Sequence, residues 1–375
     1  MRVLLISPID PRVPGDLKNL MGGENTYTQI LLKYPPQGVE YIHFKDALEK
    51  GEIEYTAWQS RLSILMKLRI LPLGAGFICL KLKRKYDLIH SHAYSLKLDG
   101  KIKPPVILSD SSSNSLFLKD YLGWPNWRIK INYFIRGLIS RIFGIYDQEL
   151  NIKHAQKLLV FSKFAKDVHQ KLGADPKKIE VIYPGIPKTR FKQKKTKKRN
   201  INILFAGVWF ERKGGLILLQ AFNKLIKLYT NLRLTILGPV PSYLDISNPL
   251  ITHQDYVDYK TLLTRYYPQA DIFVLVPPKA EGFGLVVLEA QSFGIPTIVS
   301  SVYALSELVE DQKTGFVIKP NNTSQLYKTL EILITRSDIR RKMGKEARKR
   351  FLKLFEVNIA RERLKAVYLK VLRLN

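Results

Sequence analysis

The segment Asp271-Ile-Phe-Val-Leu-Val-Pro-Pro-Lys-Ala-Glu281-Gly-Phe-Gly-Leu-Val-Val-Leu-Glu289-Ala290 decides how this chain is read. Its apolar run, stopped by Pro277 and Pro278, is a buried strand, and Leu285 opens a run of helical period. In an open parallel sheet, ligands bind beyond the carboxyl ends of the strands, which is where the intervening glycine-flanked loop falls. Gly282 and Gly284, on either side of Phe283, leave the backbone bare so that N–H groups can approach a ligand closely. A helix starting near Gly284 or Leu285 adds unpaired N–H donors and the positive end of its dipole, a setting suited to phosphate. Glu281 before the helix and Glu289 along it can accept hydrogen bonds from ligand hydroxyls. A bare pair of glutamates at this spacing would be a helix-terminal charge and a surface residue; the strand, the glycines and the helix around them make the segment specific.

Working outward, short apolar runs alternate with stretches of helical period on both sides. Before this segment come Val3–Ser7, Tyr41–Phe44, Leu88–His90, Val106–Ser109, Lys157–Phe161 and Ile179–Ile182 as strands, with Thr26–Lys33 and Ala165–Leu172 as helices. The pattern breaks at Pro184, Gly185 and Pro187 and at the basic run Lys192-Gln-Lys-Lys-Thr-Lys-Lys-Arg199, which reads as a linker. It restarts with strands Ile201–Ala206, Leu232–Leu237, Ile272–Val276 and Thr297–Ser300 and helices Leu216–Leu228 and Leu285–Ser292. The expected fold class is α/β, with two Rossmann-like domains whose parallel sheets face a central cleft. The expected boundaries are 1–186, a linker over 187–200 and a second domain over 201–356. A basic helix over 357–375 carries an apolar stripe and can pack back onto the first domain.

A second segment supports the same chemistry. In Ile203-Leu-Phe-Ala-Gly207-Val-Trp-Phe-Glu-Arg212-Lys213-Gly214 a strand delivers Gly207 at its carboxyl end, and Lys213 stands just before a helix. In the first half, Met21-Gly22-Gly23-Glu24 opens the first helix, and Asp87-Leu-Ile-His90-Ser-His92 ends a strand in two histidines.

Glu281 and Glu289, with seven residues between them around Gly282-Phe283-Gly284 and followed by Gly294-Ile-Pro296, resemble the signature of glycosyltransferase family 4, retaining enzymes of the GT-B fold. Val160-Phe-Ser162-Lys163, Ile182-Tyr-Pro-Gly185, Ser306-Glu307-Leu308-Val309 and Thr314-Gly315-Phe316 match the family's pattern too. The resemblance implies a nucleotide-sugar donor, a UDP-, GDP- or ADP-sugar, held mainly by the second domain. Lys213 then binds the diphosphate and stabilises it as it leaves, Glu281 positions the sugar, and Glu289 accepts from the ribose. Gly207, Arg212, Gly282, Phe283, Gly284 and Leu285 line the donor site, and Gly22 and Gly23 approach the phosphates from the first domain. His92 is the histidine that faces the reacting sugar, and His90 is structural. No metal and no cofactor are implied. Three positions depart from the family. Val208 stands where an arginine usually joins the lysine, so that Arg212 is the substitute at hand; Leu108-Ser109-Asp110-Ser111 lacks a histidine; and Pro184 replaces an asparagine.

Composition bounds the rest. The chain has 375 residues, 46% hydrophobic and 25% charged, enough apolar material for two cores and too much for a disordered chain. Its 61 Lys and Arg against 32 Asp and Glu give a net charge of +29, which attracts polyanions. The only cysteine, Cys79, excludes an intrachain disulfide and reads as a buried apolar residue. The apolar run at the N-terminus is short for a secretory signal, and Ile70 to Leu80, interrupted by Pro72, Gly74 and Gly76, is short for a membrane span. A cytoplasmic protein is expected, peripheral on the inner face of the cell membrane. Arg61–Lys85 and Trp127–Phe143 interleave bulky apolar residues with cations, as bilayer-lying segments do and as core helices with snorkelling ends also do. With the charge, they favour a lipid-linked or membrane-associated glycan acceptor over a soluble one. The rival classes are a basic nucleic-acid-binding protein, against which the scattered cations and the lack of a recognition module count, and an epimerase or phosphorylase on the same scaffold.

Overall fold

A computed structural model describes residues 1–7, 23–59, 77–150, 152–189 and 200–373. Gly22, all of the linker's basic run and the 61–76 part of the first cation-rich segment lie outside the described residues. The chain divides into two compact units, 1–185 together with 357–375, and 186–356.

The first unit is built on strands β1 (Arg2–Ile6), β2 (Glu40–His43), β5 (Leu88–His92), β7 (Val106–Asp110), β8 (Lys157–Val160) and β9 (Ile179–Val181). They pair in the order β2-β1-β5-β7-β8-β9, parallel throughout. Because such a sheet is covered on both faces, its strands are near-continuous apolar runs, and Val3, Leu4, Leu5 and Ile6 have no exposed surface. A smaller sheet joins β3 (Ile53–Tyr55), β4 (Phe77–Leu82) and β6 (Ser95–Asp99), with β3 antiparallel and β6 parallel to β4. The sequence pattern gives no sign of this sheet. Cys79 lies in β4, fully buried and unpaired, and burial pushes its thiol up to about 12.

The second unit holds β10 (Ile201–Ala206), β11 (Leu232–Leu237), β12 (Ile251–Gln254), β13 (Ile272–Leu275), β14 (Thr297–Ser300) and β15 (Gly315–Ile318). Their order, β12-β11-β10-β13-β14-β15, is parallel throughout and reverses direction between β10 and β13, the doubly wound arrangement of dinucleotide-binding folds. That reversal opens a crevice at the carboxyl ends of β10 and β13, the two strands whose following loops carry Gly207 to Lys213 and Pro277 to Glu281. In the first unit the reversal falls between β1 and β5, and β5 ends at His92.

The helices are α1 (Gly23–Lys33), α2 (Phe44–Glu49), α3 (Asn126–Ile142), α4 (Lys163–Lys171), α5 (Gly215–Leu225), α6 (Leu285–Ser292), α7 (Leu305–Leu308), α8 (Thr323–Thr335), α9 (Ser337–Leu354) and α10 (Val357–Arg373). Helix α10 buries Val357, Ala360, Leu364, Tyr368 and Val371 within the first unit. Gly185 lies where the chain crosses the start of α10, and a Cβ there would stand 2.6 Å from the Val357 backbone. Helix α3 is not a core helix with snorkelling ends: Trp127 is 65% and Phe134 74% exposed, whereas Asn132, Arg136 and Ser140 are buried.

Candidate functional site

In the second unit the reversal point is shaped by glycines. Gly207, after β10, donates its N–H to the Leu237 carbonyl at 2.8 Å, and a Cβ on it would lie 2.2 Å from Lys213 Cδ. Its missing side chain is therefore what allows the Lys213 stem to fold back over the strand end. Gly214 has φ +88°, and a Cβ there would meet the Val276 carbonyl oxygen at 2.1 Å, so the turn into α5 packs against the end of β13. The Val276 N–H completes the junction by donating to the Lys213 carbonyl at 3.2 Å.

From this position Lys213 Nζ reaches Glu281 Oε2 at 2.9 Å, with both side chains about nine-tenths buried. Residues 68 apart in sequence thus meet in one ion pair, and the two strand-end motifs become one site. Arg212 stands beside it with its guanidinium over the Trp209 ring, 5.5 Å from the centroid. Gly282 is half-buried, while Phe283 and Leu285 are buried at the start of α6. Gly284 has φ +89°, and a Cβ on it would lie 2.6 Å from Leu305 Cδ2. Its glycine is required by the turn and by packing on α7, a reason beyond the bare backbone expected from the sequence.

Glu289, on α6, is 2% exposed, and its Oε2 accepts a hydrogen bond from Tyr267 Oη at 2.7 Å. Burial pushes its carboxyl from an ordinary 4.5 up to about 7, against the opposing effect of hydrogen bonds from Tyr267 and Tyr259. The folded protein therefore holds a proton here up to about pH 7, whereas the unfolded chain releases it near 4.5. Stability is expected to fall by about 3 kcal/mol as pH rises through that window and to level off above it. Glu289→Gln should flatten this slope in urea titrations run from pH 4.5 to 7.5; an unchanged slope would refute the assignment. Tyr267 escapes sequence reading because it comes from an irregular stretch before β13 with no periodicity to mark it.

In the first unit, Gly23 begins α1 and is exposed. His92 is fully buried, and both its ring nitrogens are engaged: Nε2 with the Glu24 carboxylate and Nδ1 with Ser109 Oγ at 2.8 Å. Its ring stacks on Phe161 at 5.4 Å between centroids. Ser109 Oγ also meets His90 Nε2 at 2.8 Å, His90 Nδ1 meets Tyr368 Oη at 2.7 Å, and Tyr368 meets Tyr41 at 2.8 Å. A buried row thus runs from α10 to the first turn of α1. Burial pushes His90 down to about 3, assisted by the neighbouring His92, so His90 is neutral with a single ring N–H. Burial pushes Glu24 up, but the His92 charge and hydrogen bonds from His92 and Ser111 outweigh it and hold the carboxyl below its ordinary value.

Ser109 Oγ thus bridges the two histidines, between His90 Nε2 and His92 Nδ1, and His92 Nε2 faces the Glu24 carboxylate. Ala93, directly after His92, has φ +58°, a strained conformation of the kind that gathers at functional sites. The sequence singles out His92 as the group that meets a ligand; the structure places Glu24, with 35% of its side chain exposed, between that histidine and solvent. Glu24 was legible only as the residue following the two glycines.

No described helix is long and apolar enough to cross a membrane, and among the described residues no group of three or more His, Cys, Asp or Glu side chains could hold a metal ion.

The comparisons agree with this architecture. Residues 186–350 match the model for glycosyl transferases group 1, and residues 52–190 match that for Glycosyltransferase Family 4. No curated protein matches by sequence. Among solved structures, a sucrose-phosphate synthase from Thermosynechococcus elongatus is similar over 100% of this chain and 99% of its own, at 15% identity and TM-score 0.69. A glycosyltransferase from Rickettsia africae covers 99% and 98% at 15% identity and TM-score 0.67. HepE from Anabaena, solved with UDP and glucose, covers 98% and 99% at 13% identity and TM-score 0.64. At these identities the structures speak for the fold, and the two family models, which meet near the junction of the units, speak for the class. With a doubly wound sheet in each unit and the glutamate motif at the strand ends of the second, the chain belongs to glycosyltransferase family 4 and has the GT-B fold.

Proposed function

We propose that this protein moves a hexose-type sugar from a nucleotide-sugar to a hydroxyl of a lipid-linked or membrane-associated glycan, with retention of anomeric configuration. The observation that carries the donor half is the Lys213–Glu281 pair, buried and held by Gly207 where the strand order of the second unit reverses. When the bond from the anomeric carbon to the diphosphate oxygen breaks, that oxygen gains negative charge. A fixed cation nearby lowers the barrier. Lys213 supplies it, with Arg212 beside it and the amides at the start of α6 completing the anion site. Glu281 then exchanges its lysine partner for sugar hydroxyls. The acceptor oxygen bonds to the anomeric carbon from the face the diphosphate leaves, and its proton passes to the departing phosphate oxygen. Each bond made is matched by one broken, with no external base and no metal. The acceptor half of the proposal is supported by the net charge of +29, which suits a protein working at the anionic inner face of the membrane.

The test is a panel of UDP-, GDP- and ADP-sugars scored for nucleotide release, starting with UDP-glucose because HepE was solved with UDP and glucose. Release is expected from one nucleotide class, undiminished by EDTA, with a product whose anomeric configuration by NMR matches the donor. An inverted product would overturn retention. Loss of turnover in EDTA would overturn the metal-free route, and no release from any donor would sink the proposal.

A further inference from the structure

We propose that the outward face of α3 is the surface by which this protein docks on an anionic lipid bilayer, a proposal that rests on the membrane-associated acceptor proposed above. Helix α3 is built inside out. Trp127, Ile131, Phe134, Ile135, Leu138 and Ile142 are all exposed, from 37% at Ile135 to 74% at Phe134. At about 100° per residue these six fall within roughly 100° of the helix circumference, a single continuous stripe about 24 Å long. The opposite side carries the helix's buried residues, Asn132, Arg136, Gly137 and Ser140.

Electrostatics fix that orientation. Arg136 Nη2 donates to Asp147 Oδ2 at 2.9 Å, and Tyr133 donates to Glu149. Both carboxylates are buried. Asp147 also accepts from Ser95 Oγ and from the backbone N–H groups of Glu149 and Leu150; Glu149 accepts from the Asn114 N–H at 2.7 Å. Rolling α3 to hide its apolar stripe would strip these two carboxylates of their helix partners, so the stripe faces outward as a consequence of the fold.

The chemistry of the rim selects the occupant. Arg128 borders the stripe on one side, Lys130 and Arg141 on the other, all exposed, and α3 contains no acidic residue. Apolar side chains flanked on both sides by long cations match a bilayer boundary, where the stripe enters the acyl region and the cations reach the lipid phosphates. Arg128 is braced over the Trp124 ring at 4.0 Å, at the end of the helix where Trp127 stands. Tryptophan favours the same interfacial level.

The experiment sediments the full chain with phosphatidylcholine vesicles, with and without phosphatidylglycerol. Three forms are compared: wild type, Phe134→Glu/Leu138→Glu, and Lys130→Glu/Arg141→Glu. All the replaced side chains are solvent-exposed, and thermal unfolding with nucleotide release from the donor confirms each variant is intact. Wild type is expected on phosphatidylglycerol vesicles alone. The apolar variant should lose at least about tenfold in bound fraction, and the charge variant should bind weakly with little salt dependence. Equal binding by wild type and both variants would overturn the α3 surface while leaving membrane association standing. Indifference of wild type to anionic lipid would overturn both. A wild-type dimer in light scattering that Phe134→Glu/Leu138→Glu converts to monomer would reassign the face to a second copy of the chain.

Discussion

Lys213→Ala should lower kcat/KM for the nucleotide-sugar by about 10²- to 10³-fold, with most of the loss in kcat. The lysine is nine-tenths buried, and a preorganised cation in a poorly hydrated site stabilises a developing phosphate charge far more than one in water. Truncation has a second effect, since it leaves the Glu281 carboxylate buried without its partner, repelling the donor's phosphates. The two contributions separate in a double-mutant cycle. Glu281→Gln removes the buried charge while keeping a hydrogen-bonding head. If Lys213 were only the counter-ion of Glu281, Lys213→Ala/Glu281→Gln would recover most of the activity. If Lys213 acts on the leaving group, the double variant stays as slow as Lys213→Ala. Recovery to within about threefold of Glu281→Gln alone would remove Lys213 from the chemistry.

Gly238→Ala should be among the most damaging single-methyl changes near the site. Gly238 follows β11 at φ +126°, and a Cβ on it would lie 2.1 Å from the Gly207 carbonyl oxygen. Backbone strain and a clash with rigid backbone each cost about 1 to 3 kcal/mol, so a loss of about 3 to 5 kcal/mol is expected. For a unit of this size that lowers Tm by about 10 °C in calorimetry. Gly51→Ala is the control, because Gly51 also has positive φ but has nothing within 4 Å of its Cβ position. A Tm drop at Gly238→Ala no larger than that of Gly51→Ala would show that the strand ends yield easily. Any displacement of Gly207 would also unseat the Lys213 stem and reduce donor turnover.

The parts of this structure that could be read from sequence are those where a period or a stop is written locally. The buried runs at Ile201–Ala206, Leu232–Leu237 and Ile272–Leu275 are continuous because both faces of their sheet are covered, and Pro277 and Gly284 mark where strand ends and helix begins. The strand β3, by contrast, is three residues long and pairs with β4 across 60–76, so nothing local announces it. Lys213 and Glu281 were each identifiable from their loops, but their contact depends on Gly207 lacking a side chain, a relation between three positions that spacing does not encode. Glu289 was legible as a residue but its buried partner was not, because Tyr267 comes from a segment without pattern. Helix α3 shows the same limit. Its apolar stripe is visible in the sequence, but which way the stripe faces depends on Asp147 and Glu149, beyond the helix's own end.

The buried row from Tyr41 to Glu24 behaves like a short column of ice. Every interior member is held on both sides: Tyr368 by Tyr41 and His90, Ser109 by the two histidines, and His92 by Ser109 and Glu24. The column ties Glu24 on the first helix to Tyr368 on α10, 344 positions further along the chain, through side chains alone. A chain ending before that tyrosine would keep both histidines but leave the buried His90 Nδ1 without the hydroxyl that holds it.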